Sequence, residues 1–120
     1  MQRALPRKVV KAVEVFLEKL SSEIRVEEAY LFGSYAKGTW IKTSDVDLIV
    51  VSRDFKGLRY TERLDLVNRV QWSARISPFI EVIPLTPEEF RDKVGSSAVI
   101  RDASKYWLKI WPRTRGNVSA

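Results

Sequence analysis

The sequence predicts an α+β domain, close to the α/β class, in which helices flank a small mixed β-sheet. Residues 45–51 and 79–85 are short apolar segments with the length and composition of buried strands. Between them, residues 60–75 have apolar side chains at helical spacing, which supplies the crossover that a parallel pair of strands requires. Since the chain has 120 residues and no repeat or internal linker, we predict a single domain over residues 1–120.

The N-terminal half before these strands reads as one helix and one strand. Residues 6–20 place valine, phenylalanine and leucine at helical spacing, with Pro6 suited to the first turn. Residues 26–32 end in an apolar run and predict a first strand. The small and polar residues 33–44 predict a loop with at most one helical turn.

The C-terminal half predicts two short helices and a last strand. Thr86 and Glu89 form a capping box around Pro87, so a helix begins there, and Gly95 ends it. The remaining predictions are a helix capped by Ser96 or Ser97 that runs to about Ser104, a final strand over 106–111, and a flexible tail over 112–120.

Composition excludes several chemistries. With neither cysteine nor histidine in the chain, disulfides, thiol nucleophiles, cysteine–zinc sites and imidazole bases are impossible. No apolar run is long enough to span a bilayer, and the first residues lack a secretory core, so we expect a cytoplasmic protein without membrane association. The net charge of +6 suits a polyanionic substrate or an acidic partner, although a solvated surface would explain it equally well.

Three carboxylates are predicted to meet at the beginning of the two parallel strands. Asp45 and Asp47 stand two residues apart, so their side chains leave the same face of a strand. Glu81 occupies the third position of its strand, as Asp47 does in the strand before it. Because parallel strands begin at the same side of a sheet, Glu81 should lie at the depth of Asp47 if the two strands are neighbours.

A glycine–serine turn is predicted beside these acids. Gly33 and Ser34 follow the first strand, whose end lies beside the start of the second strand if the two are antiparallel. Glycine allows backbone N–H groups to approach an anion, the serine hydroxyl adds a donor, and a following helical turn would point its positive end there. Hydrogen-bond donors to phosphate beside three acids favour the binding of two divalent cations and a nucleoside triphosphate. This is the arrangement that an in-line displacement uses.

The string Gly33-Ser34-Tyr35-Ala36-Lys37-Gly38, ten residues between Ser34 and Asp45, and Ser44-Asp45-Val46-Asp47-Leu48 together resemble the signature of minimal nucleotidyltransferase domains. These domains belong to the DNA polymerase beta superfamily. The resemblance covers about residues 25–90 and implies the polymerase-beta-type nucleotidyltransferase fold.

The resemblance also implies roles for individual residues. Gly33 and Ser34 would contact the triphosphate, Asp45 and Asp47 would hold two Mg²⁺ or Mn²⁺ ions, and Glu81 would be the third, catalytic-metal ligand. In that family the third acid is often aspartate, so Glu81 is longer by one methylene. Glu81 could instead be a solvated residue of an edge strand.

The remaining candidates are lysines and aromatic residues. Lys37 and Lys42 lie in the loop and are candidates for phosphate contact, although exposed lysines are more often only solubilising. Trp40 lies in the same polar loop, where it could pack on a base, on a partner or on the loop itself. Four other aromatic residues are expected in the core: Tyr30, Phe32, Trp72 and Phe79.

The predicted activity is nucleotidyl transfer, with AMP from ATP transferred to a macromolecular acceptor. The resemblance implies a HEPN-type helical protein as that acceptor, in a toxin–antitoxin pair. Two alternatives stay open: an antitoxin that neutralises its partner by contact alone, and a small nucleic-acid-binding module. The latter would expect aromatic residues on strand faces, whereas these strands begin with acids. Nucleic acid as a partner and association of the chain with itself are also left open.

Overall fold

The computed structural model describes residues 4–112, so all of the predicted tail except Pro112 lies outside the described residues. Within that range no helix is both long and apolar enough to cross a membrane.

Five α-helices, a 3-10 turn and four strands make up the described chain, and all the predicted elements are present. They are α1 (Arg7–Ser21), β1 (Glu28–Phe32), α2 (Ser34–Lys37), β2 (Val46–Val51), the 3-10 turn (Arg53–Phe55), α3 (Tyr60–Ala74), β3 (Ile80–Leu85), α4 (Pro87–Ser96), α5 (Ala98–Ser104) and β4 (Leu108–Trp111). The predicted bounds differ from these by one or two residues, as fraying ends allow.

The strands form one mixed sheet in the order β3-β2-β1-β4. Strands β2 and β3 are parallel, whereas β1 is antiparallel to both of its neighbours, β2 and β4. The parallel pair and the antiparallel pair confirm the two conditions on which the predicted meeting of the acids depended. The end of β1 therefore lies beside the beginning of β2, with Phe32 opposite Asp47.

Each face of the sheet packs against a separate pair of helices. Alternate residues of β2, among them Val46 and Leu48, join α1 and α3 in the larger core. The opposite face, with Ile49 and Val51, packs against α4 and α5 in a smaller core. Because Asp47 lies two residues before Ile49, its side chain leaves the sheet on the face of α4 and α5.

The aromatic residues only partly follow the prediction of a core position. Tyr30 is buried and Phe32 partly buried, both packed in the smaller core. Trp72 and Phe79 are instead 71% and 48% exposed, so for these two the prediction was wrong. Helical spacing placed Trp72 on the apolar stripe, but it lies in the last turn of α3, two residues before the helix ends.

Gln71 is a buried polar residue that holds the beginning of β3 against α3. Its side-chain nitrogen donates to the Ile80 carbonyl at 2.7 Å, and the Ile80 N–H donates to its side-chain oxygen at 2.9 Å. Since β3 is an edge strand, this amide replaces the missing neighbouring strand for one residue. The residue so held immediately precedes Glu81.

Replacing Gln71 with leucine should destabilise the protein by about 2–4 kcal/mol, because two buried backbone groups of Ile80 lose their partners. The free energy of unfolding by urea, compared with the wild type, measures this cost. Ser73→Leu, at an exposed position of the same helix, is the matched control and should change stability by less than about 0.5 kcal/mol. Equal stability of the Gln71 variant and the wild type would contradict the structural role.

Candidate active site

Asp47 and Glu81 lie directly opposite each other on the two parallel strands. The register pairs Asp47 with Glu81, one residue after the pair Val46 and Ile80. Partners at the same position of a parallel pair direct their side chains to the same face, so both carboxyl groups lie on the side of α4 and α5. The equal depth predicted for these two acids is confirmed.

The environment of Asp47 disfavours its charge. Burial first, and then the negative charges of Glu81 and Asp45, together raise the pKa of the Asp47 carboxyl from its ordinary 3.8 to about 6. Asp47 is half-buried, whereas Asp45 and Glu81 are exposed. All three acids therefore interact electrostatically, with Asp47 at the centre.

The three acids are neighbours but do not form a closed ligand set. Among residues 4–112, no group of three histidine, cysteine, aspartate or glutamate side chains is gathered closely enough to hold a metal ion. Mutual repulsion of like charges favours side-chain conformations that keep the acids apart. Because Asp45 and Glu81 are exposed, their side chains have room to turn toward Asp47.

Gly33 brings the backbone of the turn against the Asp47 carboxylate. Its φ of +76° lies in the region that residues with a side chain rarely adopt. A Cβ atom added at this position would also overlap a carboxylate oxygen of Asp47 and would lie 3.3 Å from its Cγ. The turn that contains the glycine therefore lies directly beside the acids, as predicted.

The three other candidates of this region, Ser34, Lys37 and Lys42, lie in different surroundings. Ser34 opens helix α2 next to Gly33 and is partly exposed. The Lys37 ammonium lies 3.6 Å from a carboxylate oxygen of Asp102 and 5.3 Å from the centre of the Tyr106 ring. Lys37 thus extends toward α5, whereas Lys42 is an exposed residue of the loop before β2.

Trp40 covers the loop instead of extending into solvent. Its ring stacks on Tyr35 with the ring centres 5.3 Å apart, and it packs against the larger core. Of the three positions left open for this residue, the structure thus shows packing on the protein's own loop.

A cleft lies between the Gly33 turn and α5, on the same face of the sheet as the acids. Its volume is about 400 Å³. We call it the α5 cleft, and its main lining residues are Phe32, Gly33, Lys37, Val99, Asp102 and Tyr106. The sequence singled out none of the α5 residues, because they lie about 65 residues after Gly33 and match no motif.

Solved structures share this architecture. A candidate nucleotidyltransferase from Sulfolobus solfataricus is 24% identical, with a TM-score of 0.59 and 90% of each chain covered. BolA1 from Arabidopsis thaliana is 17% identical, with a TM-score of 0.50, over 71% of this chain and 98% of that one. A toxin–antitoxin structure with AMP-PNP is 21% identical, with a TM-score of 0.52, over 80% and 70% of the two chains. At such identities the likeness concerns the fold alone.

Comparison of the sequence with family models identifies the family of the chain. No curated protein sequence matches the chain significantly. The family model of the nucleotidyltransferase domain, however, matches residues 11–107, which include the glycine–serine turn and all three acids. The chain therefore belongs to the nucleotidyltransferase domain family.

Proposed function

We propose that this protein transfers the AMP group of ATP to a macromolecular acceptor. In this proposal Asp45, Asp47 and Glu81 hold two Mg²⁺ ions (or Mn²⁺), while Gly33 and Ser34 contact the triphosphate. The observation that supports it most strongly is the position of the Asp47 carboxylate, which lies opposite Glu81 and against the backbone of Gly33. Acids and a glycine turn in contact are what a metal-bound triphosphate needs.

The donor set fits hard divalent cations. Magnesium prefers oxygen ligands, and the three acids supply only oxygen. A cation would also relieve the repulsion among the acids, which otherwise disfavours their charged forms. When bound, two such ions would stabilise the attacking and leaving oxygens of the displacement.

Two findings support ATP and a protein acceptor. One structure of this fold is a toxin–antitoxin with AMP-PNP, an analogue of ATP. The net charge of +6 would also favour an acidic partner or a polyanionic ligand. The resemblance to minimal nucleotidyltransferases implies a HEPN-type helical protein, and we propose such a protein as the acceptor, with this chain as the antitoxin.

One observation favours a second function, which is partner binding without catalysis. Trp72 and Phe79 expose large apolar surfaces, and such surfaces often mark contacts with other proteins. Both residues lie near β3, in the last turn of α3 and just before the strand. Under this alternative, activity would be absent although the partner still bound.

Replacing Asp47 with asparagine should lower nucleotidyl transfer at least about 100-fold, because a ligand shared by both metals is lost. Incorporation of label from α-labelled ATP into a co-purified or co-expressed acceptor, with Mg²⁺ or Mn²⁺, measures the effect. The matched control is Asp65→Asn, which removes a carboxylate from an exposed position on α3. Wild-type transfer by the Asp47 variant would refute the two-metal assignment. If the wild type binds the acceptor stably but transfers no label to it, the result would support the non-catalytic alternative.

Replacing Glu81 with glutamine should abolish transfer while the metal-free protein stays as stable as before or becomes more stable. The substitution removes a negative charge that opposes ionisation of Asp47. Asp47 has its pKa raised, so its ionisation costs stability as pH rises from 3.8 through about 6. The gain from the variant should accordingly be present above pH 6 and fade as pH falls below it.

Thermal melts in EDTA at several pH values, together with the transfer assay, check both halves of this prediction. Glu88→Gln, an exposed acid on α4, is the control for loss of one charge. A Glu81 variant that is less stable yet fully active would show that Glu81 is a structural residue and not the third acid.

A further inference from the structure

We propose that the α5 cleft binds the nucleobase of the triphosphate. The proposal rests on the function proposed above and adds a site for the part of the nucleotide that the acids and the glycine turn do not contact.

The α5 cleft is continuous with the proposed triphosphate site. Gly33, whose backbone lies against Asp47, also lines the cleft. Along the sheet the order is Glu81 on β3, Asp47 on β2, and Phe32 and Gly33 at the end of β1. The cleft follows next, toward α5. A nucleotide with its phosphates at the glycine turn would therefore have the α5 cleft beside it for its other end.

The volume and walls of the cleft suit a flat, uncharged ring. At about 400 Å³ the cleft lies within the range of small-molecule sites, roughly 300–1,000 Å³. Phe32, Val99 and Tyr106 supply apolar and aromatic surface. Tyr106 is 49% exposed although it is aromatic, so about half of its surface is available to a stacking partner. Aromatic rings and apolar side chains stack on bases of any identity.

One wall also carries a donor and an acceptor side by side. The Lys37 ammonium and the Asp102 carboxylate are 3.6 Å apart, and both side chains are substantially exposed. An exposed pair of this kind contributes little to stability, so its groups can exchange partners at small cost. Purines present an amino group beside a ring nitrogen, or a carbonyl beside N–H groups, which matches an acceptor beside a donor. The larger purine ring would also cover more of the apolar wall.

The test compares a probe that carries the nucleoside with one that lacks it. The probes are ATP and inorganic tripolyphosphate, each titrated calorimetrically with Mg²⁺ into the full chain. In Tyr106→Ala, we expect ATP affinity to fall about tenfold, as loss of a stacking ring implies. Tripolyphosphate affinity should change by less than about twofold, since no group at Gly33 or Asp47 is altered. Tyr60→Ala is the matched control, because Tyr60 is 45% exposed and lies outside the cleft.

A second pair of variants guards against an indirect effect of the tyrosine. Val99→Ser shortens the apolar wall and should weaken ATP about threefold, whereas Val10→Ser, at an exposed valine of α1, should not. Circular dichroism melts of all four variants verify that each is folded.

The outcomes separate this proposal from the proposed function. Unchanged ATP affinity in both cleft variants, with tripolyphosphate still bound, would overturn the nucleobase site and leave the function standing. Equal weakening of both probes would also overturn it, because the cleft residues would then act through the phosphate site. If the wild type binds neither probe with Mg²⁺, the proposed function fails and the nucleobase site fails with it.

Discussion

The parallel pairing of β2 with β3 is the constraint on which the candidate site depends. It places the carboxyl groups of Asp47 and Glu81 at the same position of adjacent strands and on the same face. Such an arrangement is unfavourable by itself, because like charges approach each other at the margin of an apolar sheet and Asp47 is half-buried. A fold that keeps this arrangement gives up stability in the metal-free protein, and the proposed binding of a cation would recover that loss.

The rest of the fold compensates for this cost by fixing the backbone around the acids. The larger core, on the face away from the carboxylates, holds β2 and β3 against α1 and α3. Gln71 then satisfies Ile80 at the free edge of β3, one residue before Glu81. The acids thus extend from strands that are rigid at their base, although the side chains of Asp45 and Glu81 retain room to turn. Under the proposed function, a fixed backbone with side chains that can turn would suit ions that arrive together with a nucleotide.

Helix α5 gives the site a wall that the signature residues do not provide. Its residues approach the Gly33 turn across the smaller core. There Tyr30 stacks on Phe90 with the ring centres 5.2 Å apart and makes a tilted contact with Trp107 at 4.5 Å. This aromatic packing holds α4 and the segment after α5 on the sheet face that carries the acids. Lys37 reaches this wall, with its ammonium 3.6 Å from a carboxylate oxygen of Asp102 and 5.3 Å from the centre of the Tyr106 ring. A lysine expected at phosphate is thereby placed at the wall of the cleft.

The sequence by itself determined the elements and, through the helical crossover, a parallel arrangement of β2 and β3, because local periodicity and the crossover rule require no knowledge of distant contacts. The nearness of Gly33, Asp47 and Glu81 was predicted only on the condition that β2 pairs with β3 and lies antiparallel to β1, and the tertiary structure met that condition. Only the tertiary structure decided which apolar side chains stay exposed to solvent. Trp72 and Phe79 fit apolar patterns yet lie outside the core, because no element covers them within residues 4–112. The α5 cleft likewise joins residues about 65 positions apart. Its walls depend on how α4 and α5 pack against the sheet, and no local pattern encodes that packing.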